Sequence, residues 1–298
     1  MEKRQGSNRT AWLANAKGVG RRFVDDAVLS RAAEISFYYF LSVFPLLLIL
    51  MAVLGLFLDA RLLVRETLLD ALGKVAPGSI IGVFDRLLLH LEQQPERPLS
   101  FGILVAVWAA SSGMVATIRA LNKAYGVVEE RPWWRRRLVA IALTLGYMLL
   151  AVTAMVLFSW GSVIAEAVAQ RVGLGTVFVQ VWRFGQWPAI VFVLLVAFHL
   201  LYRYAPHRRR GPSRWLQPGT LIGIGLWLAA SSGLKLYIAN FAHFDVAYGS
   251  LGAVIVLLLW FYVTGIAVLT GAEINAQLEG PDHGSRSADL GGDAASQP

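Results

Sequence analysis

The stretch Val246-Ala-Tyr-Gly-Ser-Leu-Gly-Ala-Val-Ile-Val-Leu-Leu-Leu-Trp-Phe-Tyr-Val-Thr-Gly-Ile-Ala-Val-Leu-Thr-Gly-Ala272 runs for 27 residues without one Asp, Glu, Lys or Arg. As straight helix it measures about 40 Å, more than the roughly 30 Å of a bilayer's hydrocarbon core. It must tilt, protrude or break, and Gly249, Gly252 and Gly265 are the candidate break points. Working outward, five more stretches are equally free of charge: Ile35–Leu58, Pro98–Ile118, Leu138–Ala165, Phe184–Tyr202 and Trp215–Leu234. The expected fold is all-α, a polytopic membrane protein with six transmembrane helices.

Composition agrees. Charged residues make up 15% of the chain and apolar residues 56%, against about 25% charged in a soluble domain. Ten Trp and nine Tyr gather near the ends of the apolar runs, where amphipathic rings sit at headgroup level. The absence of Cys excludes disulfide frameworks, thiolate metal sites and Cys nucleophiles. The first thirty residues are polar and basic, without the apolar segment of a cleavable leader.

The net charge of +8 raises nucleic acid or a membrane surface as partners. Position decides between them. Nineteen of the Lys and Arg lie on the side of the two termini and eight on the other, so the positive-inside rule places both termini in the cytoplasm of a bacterial inner membrane. The clusters Arg135-Arg136-Arg137 and His207-Arg208-Arg209-Arg210 abut spans, where they meet anionic lipid headgroups rather than nucleic acid.

Outside the spans, residues 1–34 form a cytoplasmic segment in which Thr10–Arg31 reads as an amphipathic helix. Trp12, Leu13, Val19, Phe23, Ala27 and Val28 share its apolar face, with Arg21, Arg22, Asp25 and Asp26 wet. The external loop 59–97 reads as two short helices, Arg61–Val75 and Ser79–Gln94, broken at Pro77-Gly78. It either covers the bundle's outer mouth or lies on the outer leaflet. The tail 280–298, rich in Gly, Ser, Asp and Ala, reads as disordered.

Ala-Ala-Ser-Ser-Gly occurs twice, at Ala109–Gly113 and Ala229–Gly233, in spans two and five. Three helices apart, such copies cross the membrane in opposite directions, as in two inverted three-helix halves of a transporter. The plainer reading is packing, since Ala109-x3-Gly113 and Gly225-x3-Ala229-x3-Gly233 are small-x3-small patterns that let helices cross closely. The two readings are compatible.

Ionisable groups at span ends are the candidate pathway or gating residues. Glu34 and Glu273, with Asn275, fall at the cytoplasmic ends, and Lys235 and Asp245 at the external ends. Each has a plain alternative: Glu34 as a helix cap, Glu273 and Asn275 as structural groups, Lys235 and Asp245 as an external salt bridge or snorkelling side chains. His199 in span four reads better as a hydrogen-bonded interface residue than as a proton relay. Enzyme signatures are missing: the five His show no metal-ligand spacing, and there is no Gly-x-Ser-x-Gly elbow or phosphate loop. Ser112 and Ser232 have no in-span base. No catalytic, cofactor or metal site is expected.

Several stretches resemble the YihY/BrkB family of bacterial inner-membrane proteins: Ser36-Phe-Tyr-Tyr-Phe-Leu-Ser-Val-Phe-Pro-Leu-Leu-Leu48, Ala120-Leu-Asn-Lys-Ala-Tyr-Gly126, Arg131-Pro-Trp-Trp134, Ala247-Tyr-Gly-Ser-Leu-Gly-Ala-Val-Ile-Val256, Leu259-Trp-Phe-Tyr262 and Gly271-Ala-Glu-Ile-Asn-Ala276. The resemblance covers roughly residues 10–279 and implies a six-helix inner-membrane fold, some of whose bearers are linked to virulence or serum resistance. The family has also carried a ribonuclease label, which a bundle with short loops and no soluble domain does not suit. The leading expectation is a transporter or flippase-like protein for a small or amphipathic solute. A non-transporting scaffold for envelope assembly is the alternative.

Overall fold

The computed structural model describes residues 18–57, 99–172, 175–208, 217–241 and 251–279. The loop 59–97, Asp245 and the tail 280–298 lie outside the described residues. Those described form helices joined by short turns and loops, without strands. Helix α1 covers residues 18–25, α2 Val28–Phe57, α3 Leu99–Ala110, α4 Ser112–Ala124, α5 Trp133–Val172, α6 Gly175–Tyr204, α7 Pro218–Phe241 and α8 Leu251–Glu279.

Wherever described, the expected spans fall in these helices, except that the second is broken at Ser111 between α3 and α4 and Gln217 of the fifth precedes α7. Four segments are long and apolar enough to cross a membrane: Leu104–Ala124, Trp133–Ala154, Pro218–Tyr237 and Val254–Glu279. The first and fourth expected spans lie in α2 and α6, outside those four; in α6 the apolar stretch Pro188–Tyr204 is shorter. Pro45 and Pro188 sit within helices, which membrane bundles tolerate when neighbours satisfy freed backbone groups.

Helix α8 lies between α7 and α2, while α2 also packs on α3 and α4. Helix α4 touches α2, α5 and α8, and α5 and α6 form a hairpin joined to α7 through α6. The core gathers where α2, α4, α6 and α8 converge: Val28, Ala32, Ile35, Ile118, Leu121, Tyr202, Leu269 and Ala272 are buried there.

Three features refine or depart from the expected layout. Of the open alternatives for the last span, helix α8 is unbroken at Gly252 and Gly265, and Gly265 receives Ala32 of α2, where an added Cβ would lie 3.0 Å from the Ala32 Cα. The amphipathic helix expected over Thr10–Arg31 is interrupted at Asp26-Ala27, where Ala27 adopts φ 50, a left-handed conformation that L residues with a Cβ resist. That turn rotates Arg22 and Asp26 out of the solvent and against the bundle. Third, α7 and α8 cross most closely at Gly219, Gly223 and Gly271. A Cβ on Gly271 would overlap the Tyr202 hydroxyl and sit 2.6 Å from the Gly219 carbonyl oxygen. Gly225 and Gly233 face open space among the described residues, and Ala229 is exposed.

Candidate functional site

Helix ends converge on one polar plate: the α1–α2 turn, the C-termini of α4, α6 and α8, and the N-termini of α5 and α7. Its α4 corner is shaped by the sequence Lys123-Ala-Tyr-Gly126. Gly126 ends α4 at φ 64, with Gly126 N–H donating to the Lys123 carbonyl at 2.9 Å and Val127 N–H to that of Asn122 at 2.9 Å. This left-handed glycine cap stops the helix and holds Asn122, Lys123 and Tyr125 at the plate.

Glu273 is the deepest charge, with its side chain 0% exposed at the end of α8. The Arg22 Nε of α1 lies 3.2 Å from its Oε2, yet neither carboxylate oxygen receives a well-aligned hydrogen bond. The Arg22 Nη2 instead donates to the Ala124 carbonyl at 3.0 Å, placing a cation at the negative end of α4. The Asp26 carboxylate neighbours Glu273, and Lys123 Nζ approaches Asp26 Oδ1 at 3.2 Å from the wet side. Two carboxylates and two cations are thus threaded between α1, α4 and α8.

Asn275, two residues beyond Glu273 on α8 and also buried, accepts a 2.8 Å hydrogen bond at Oδ1 from the Gly219 N–H. It satisfies one of the orphan donors in the first turn of α7. Its amide nitrogen lies near the Tyr125 hydroxyl, without a well-aligned bond to it. Tyr125 stacks under Arg208 at 4.4 Å, and burial raises its phenol above the ordinary range, more than the nearby Arg208 charge lowers it. Arg208 in turn pairs with Glu279, which also accepts from Gln217 Nε2 at 2.7 Å.

The loop before α5 is locked by Glu129. Arg131 Nε and Nη2 reach its two oxygens at 2.7 and 2.8 Å, Asn122 Nδ2 donates to it at 2.8 Å, and Arg131 also donates to the Ala205 carbonyl at 2.8 Å. Burial alone would raise the Glu129 carboxyl; the hydrogen bonds from Arg131 and Asn122 and the Arg131 charge outweigh it and hold the group below its ordinary value. The Asn122 Oδ1 accepts from His207 N–H at 2.7 Å, tying α4 to the end of α6.

The other candidates are dispersed. Glu34 pairs with Arg119 at 2.9 Å, both partly exposed, and Arg119 also lies over the Tyr38 ring at 5.7 Å. Lys235 is exposed on α7, and His199 is half-buried on α6. The two Ala-Ala-Ser-Ser-Gly copies occupy different settings. The first holds the α3–α4 turn at Ser111, and Gly113 packs under Tyr39, whose ring an added Cβ would overlap. There Arg137 stacks on Trp108 at 4.0 Å and donates to its carbonyl, while Ser112 Oγ lies 3.3 Å from Arg137. The second copy is within continuous α7, where Ser231 Oγ accepts from Trp260 Nε1 at 3.2 Å.

The structure therefore joins Glu273 and Asn275 and separates them from Glu34 and Lys235. It adds Arg22, Asp26, Lys123, Asn122 and Tyr125, which the sequence showed only as a wet helical face or a family motif. Among the described residues the plate offers no nucleophile paired with a base, and no group of His, Asp and Glu could hold a metal ion. What it can do is bury ionisable groups and clamp α1 to α8.

The family model described as "Virulence factor BrkB" matches residues 19–294. The protein YfkH of Bacillus subtilis (strain 168), whose name calls it ribonuclease-like, is 35% identical over 250 residues, 84% of this chain and 89% of its own. A "UPF0761 membrane protein" of Alkalilimnicola ehrlichii is 28% identical over 276 residues, covering 87% of this chain but 57% of its own length. Another, from Alteromonas mediterranea, is 24% identical over 259 residues, covering 87% and 85%. The chain thus spans under two thirds of some relatives and most of others. No solved structure matches it.

Proposed function

The chain belongs to the BrkB family of membrane proteins, and from that premise we propose that it moves a small or amphipathic solute across the bacterial inner membrane, as a transporter or flippase-like protein. The observation that carries the reading is Glu273: a carboxylate 0% exposed at the end of an apolar span, reached by a single poorly aligned cation. Ionisable groups at such depth are costly to keep and mark pathways more often than packing. In this reading six spans cross the membrane, both termini are cytoplasmic, and the polar plate is the cytoplasmic end, closed by α1. The two pentapeptides belong to inverted halves, and Arg135 and Arg136 face anionic headgroups. The plate has no hydrolytic constellation, so the protein is proposed as a non-enzyme despite the ribonuclease-like name of its Bacillus relative.

The test is retention of solute by sealed vesicles containing the purified chain. Vesicles carrying a fluorescent phospholipid in both leaflets, or bathed in isotope-labelled bacterial extract, should show protein-dependent movement of one species, diminished in Glu273→Gln. Movement equal to protein-free vesicles for every species would refute transport. The second reading, a scaffold assisting envelope assembly, is favoured by the engagement of Asn275 and Glu279 in ordinary hydrogen bonds and an ion pair. Co-purification of a stoichiometric envelope protein, with no solute movement, would select it.

A further inference from the structure

The first Ala-Ala-Ser-Ser-Gly copy is tied to α5 by a cation that no carboxylate neutralises. Arg22, Arg119, Lys123, Arg131 and Arg208 each reach a carboxylate. Among the described residues Arg137 reaches none. Its Nη2 donates to the Trp108 carbonyl and, at 3.3 Å, to Ser112 Oγ, and its guanidinium lies 4.0 Å over the Trp108 ring. Its Nε is sealed without a partner. A guanidinium carries five N–H donors, so the two on Nη1 have no acceptor among the described residues. A carbonyl, a hydroxyl and a ring are all neutral, and a charge at the edge of hydrocarbon is costly to keep without a counter-charge.

The position of Arg137 says what supplies that counter-charge. It sits one turn past Trp133, the first residue of α5, and directly before the charge-free run Leu138–Ala165. Belts of Trp mark the headgroup level, so the guanidinium lies where headgroups give way to acyl chains. Trp133 meets Trp108 edge-on at 6.2 Å, and the two residues are 65% and 50% exposed. Leu104, one turn before Trp108 on the same face of α3, and Leu138 are exposed as well. The guanidinium fork matches the oxygens of a phosphate, and the apolar surface beside it suits hydrocarbon rather than a free ion. Arg135 differs: exposed and stacked on its own neighbour Trp134 at 5.0 Å, it meets headgroups as a diffuse charge.

We propose that Arg137, Trp108 and Trp133 form a binding site for the phosphate of one membrane phospholipid, whose acyl chains lie along the exposed side of α3 and α5. A fixed fork recognises the phosphate itself, so a zwitterionic headgroup serves as well as an anionic one. The α3–α4 turn at Ser111 builds the site by presenting the Trp108 carbonyl to Arg137. The second pentapeptide, within continuous α7, receives Trp260 instead. The site shares no residue with the plate around Glu273, and it holds whether or not a solute moves.

The test is native mass spectrometry of the full chain, released from detergent micelles titrated with dioleoyl phosphatidylethanolamine or with dioleoylglycerol. The native chain should retain one phosphatidylethanolamine, in about 0.1 M and about 0.5 M ammonium acetate alike, because a direct contact is screened far less than a diffuse field. Dioleoylglycerol should not be retained, and millimolar inorganic phosphate should not displace the lipid. Arg137→Gln should lower the affinity about 10–100-fold, and Arg137→Lys, which keeps the charge without the fork, about tenfold. Arg135→Gln should change nothing. Because Arg137 also holds the α3–α4 turn, Trp133→Ala at an exposed position is the second variant: retention should fall severalfold with the unfolding midpoint preserved. Native-like retention by Arg137→Gln, or by Trp133→Ala should the first variant not fold, would overturn the site. So would equal retention of dioleoylglycerol, displacement by inorganic phosphate, which would make the ligand a free anion, or loss of the lipid at the higher salt, which would leave only diffuse attraction.

Discussion

Placing a methyl group on Gly271 should weaken the bundle where α7 and α8 meet, while the same change at Gly225 should not. The Cβ of Gly271→Ala would sit 2.6 Å from the Gly219 carbonyl oxygen, 3.3 Å from the Gly223 Cα, and in overlap with the Tyr202 hydroxyl. Two of those obstacles are backbone, so the helices must part. Over-packing of this kind costs about 1–3 kcal/mol. Displacing the Tyr202 hydroxyl from the Val268 carbonyl, now 2.8 Å away, forfeits about 1 kcal/mol more. The better helix propensity of Ala returns about 1 kcal/mol. The balance is a loss of about 1–3 kcal/mol. Gly225→Ala meets nothing within 4 Å and keeps only the propensity gain. Equilibrium unfolding in mixed detergent micelles, read by Trp fluorescence, compares the two. Equal midpoints, or Gly271→Ala as the more stable, would refute the crossing.

Other substitutions probe the plate itself. Arg22→Ala leaves Glu273 buried beside Asp26 and should cost about 1–3 kcal/mol, discounted from a fully buried pair because Arg22 is partly wet; adding Glu273→Gln should recover most of it, and strict additivity in unfolding would contradict the pairing. Asn275→Ala strips the cap from the Gly219 N–H and should cost about 1–2 kcal/mol, with faster amide exchange in the first turn of α7 as the check. Glu129 is held below its ordinary value, so its contribution is complete above the ordinary Glu range and disappears as pH falls through the depressed value. Protease cutting near residues 125–132 should therefore rise on acidification, and Glu129→Gln should show a high rate with little pH dependence. Ala27→Gly should relax the left-handed turn and stabilise by about 0.5–1 kcal/mol; a loss in thermal midpoint would deny that φ.

The helical class was legible because lipid forbids unpaired charge: excluding four residue types over about twenty positions finds spans before any contact is known. Glu273 and Asn275 were legible for the same reason, as polar groups at a span's end. The inward turn of Arg22 and Asp26 was not, since a helical wheel presumes one straight helix and Ala27 carries no residue-type signal for a left-handed break. The α7–α8 crossing had a signal that went unused. Gly219-x3-Gly223 is itself a small-x3-small pair, lying nearly two turns before the repeated pentapeptide on α7. Lys123 and Asn122 were visible only as part of a motif, because their partners Asp26, Glu129 and His207 come from other segments. Periodicity carries no information about contacts so distant in sequence.

The most direct test of the central claim is solute flux into sealed vesicles by the native chain and by Glu273→Gln, reconstituted at equal density. The account predicts movement above protein-free vesicles for the native chain and its loss in the variant, with the bundle's unfolding midpoint preserved. Flux unchanged by Glu273→Gln would contradict the role of the plate, and no flux from either would contradict transport.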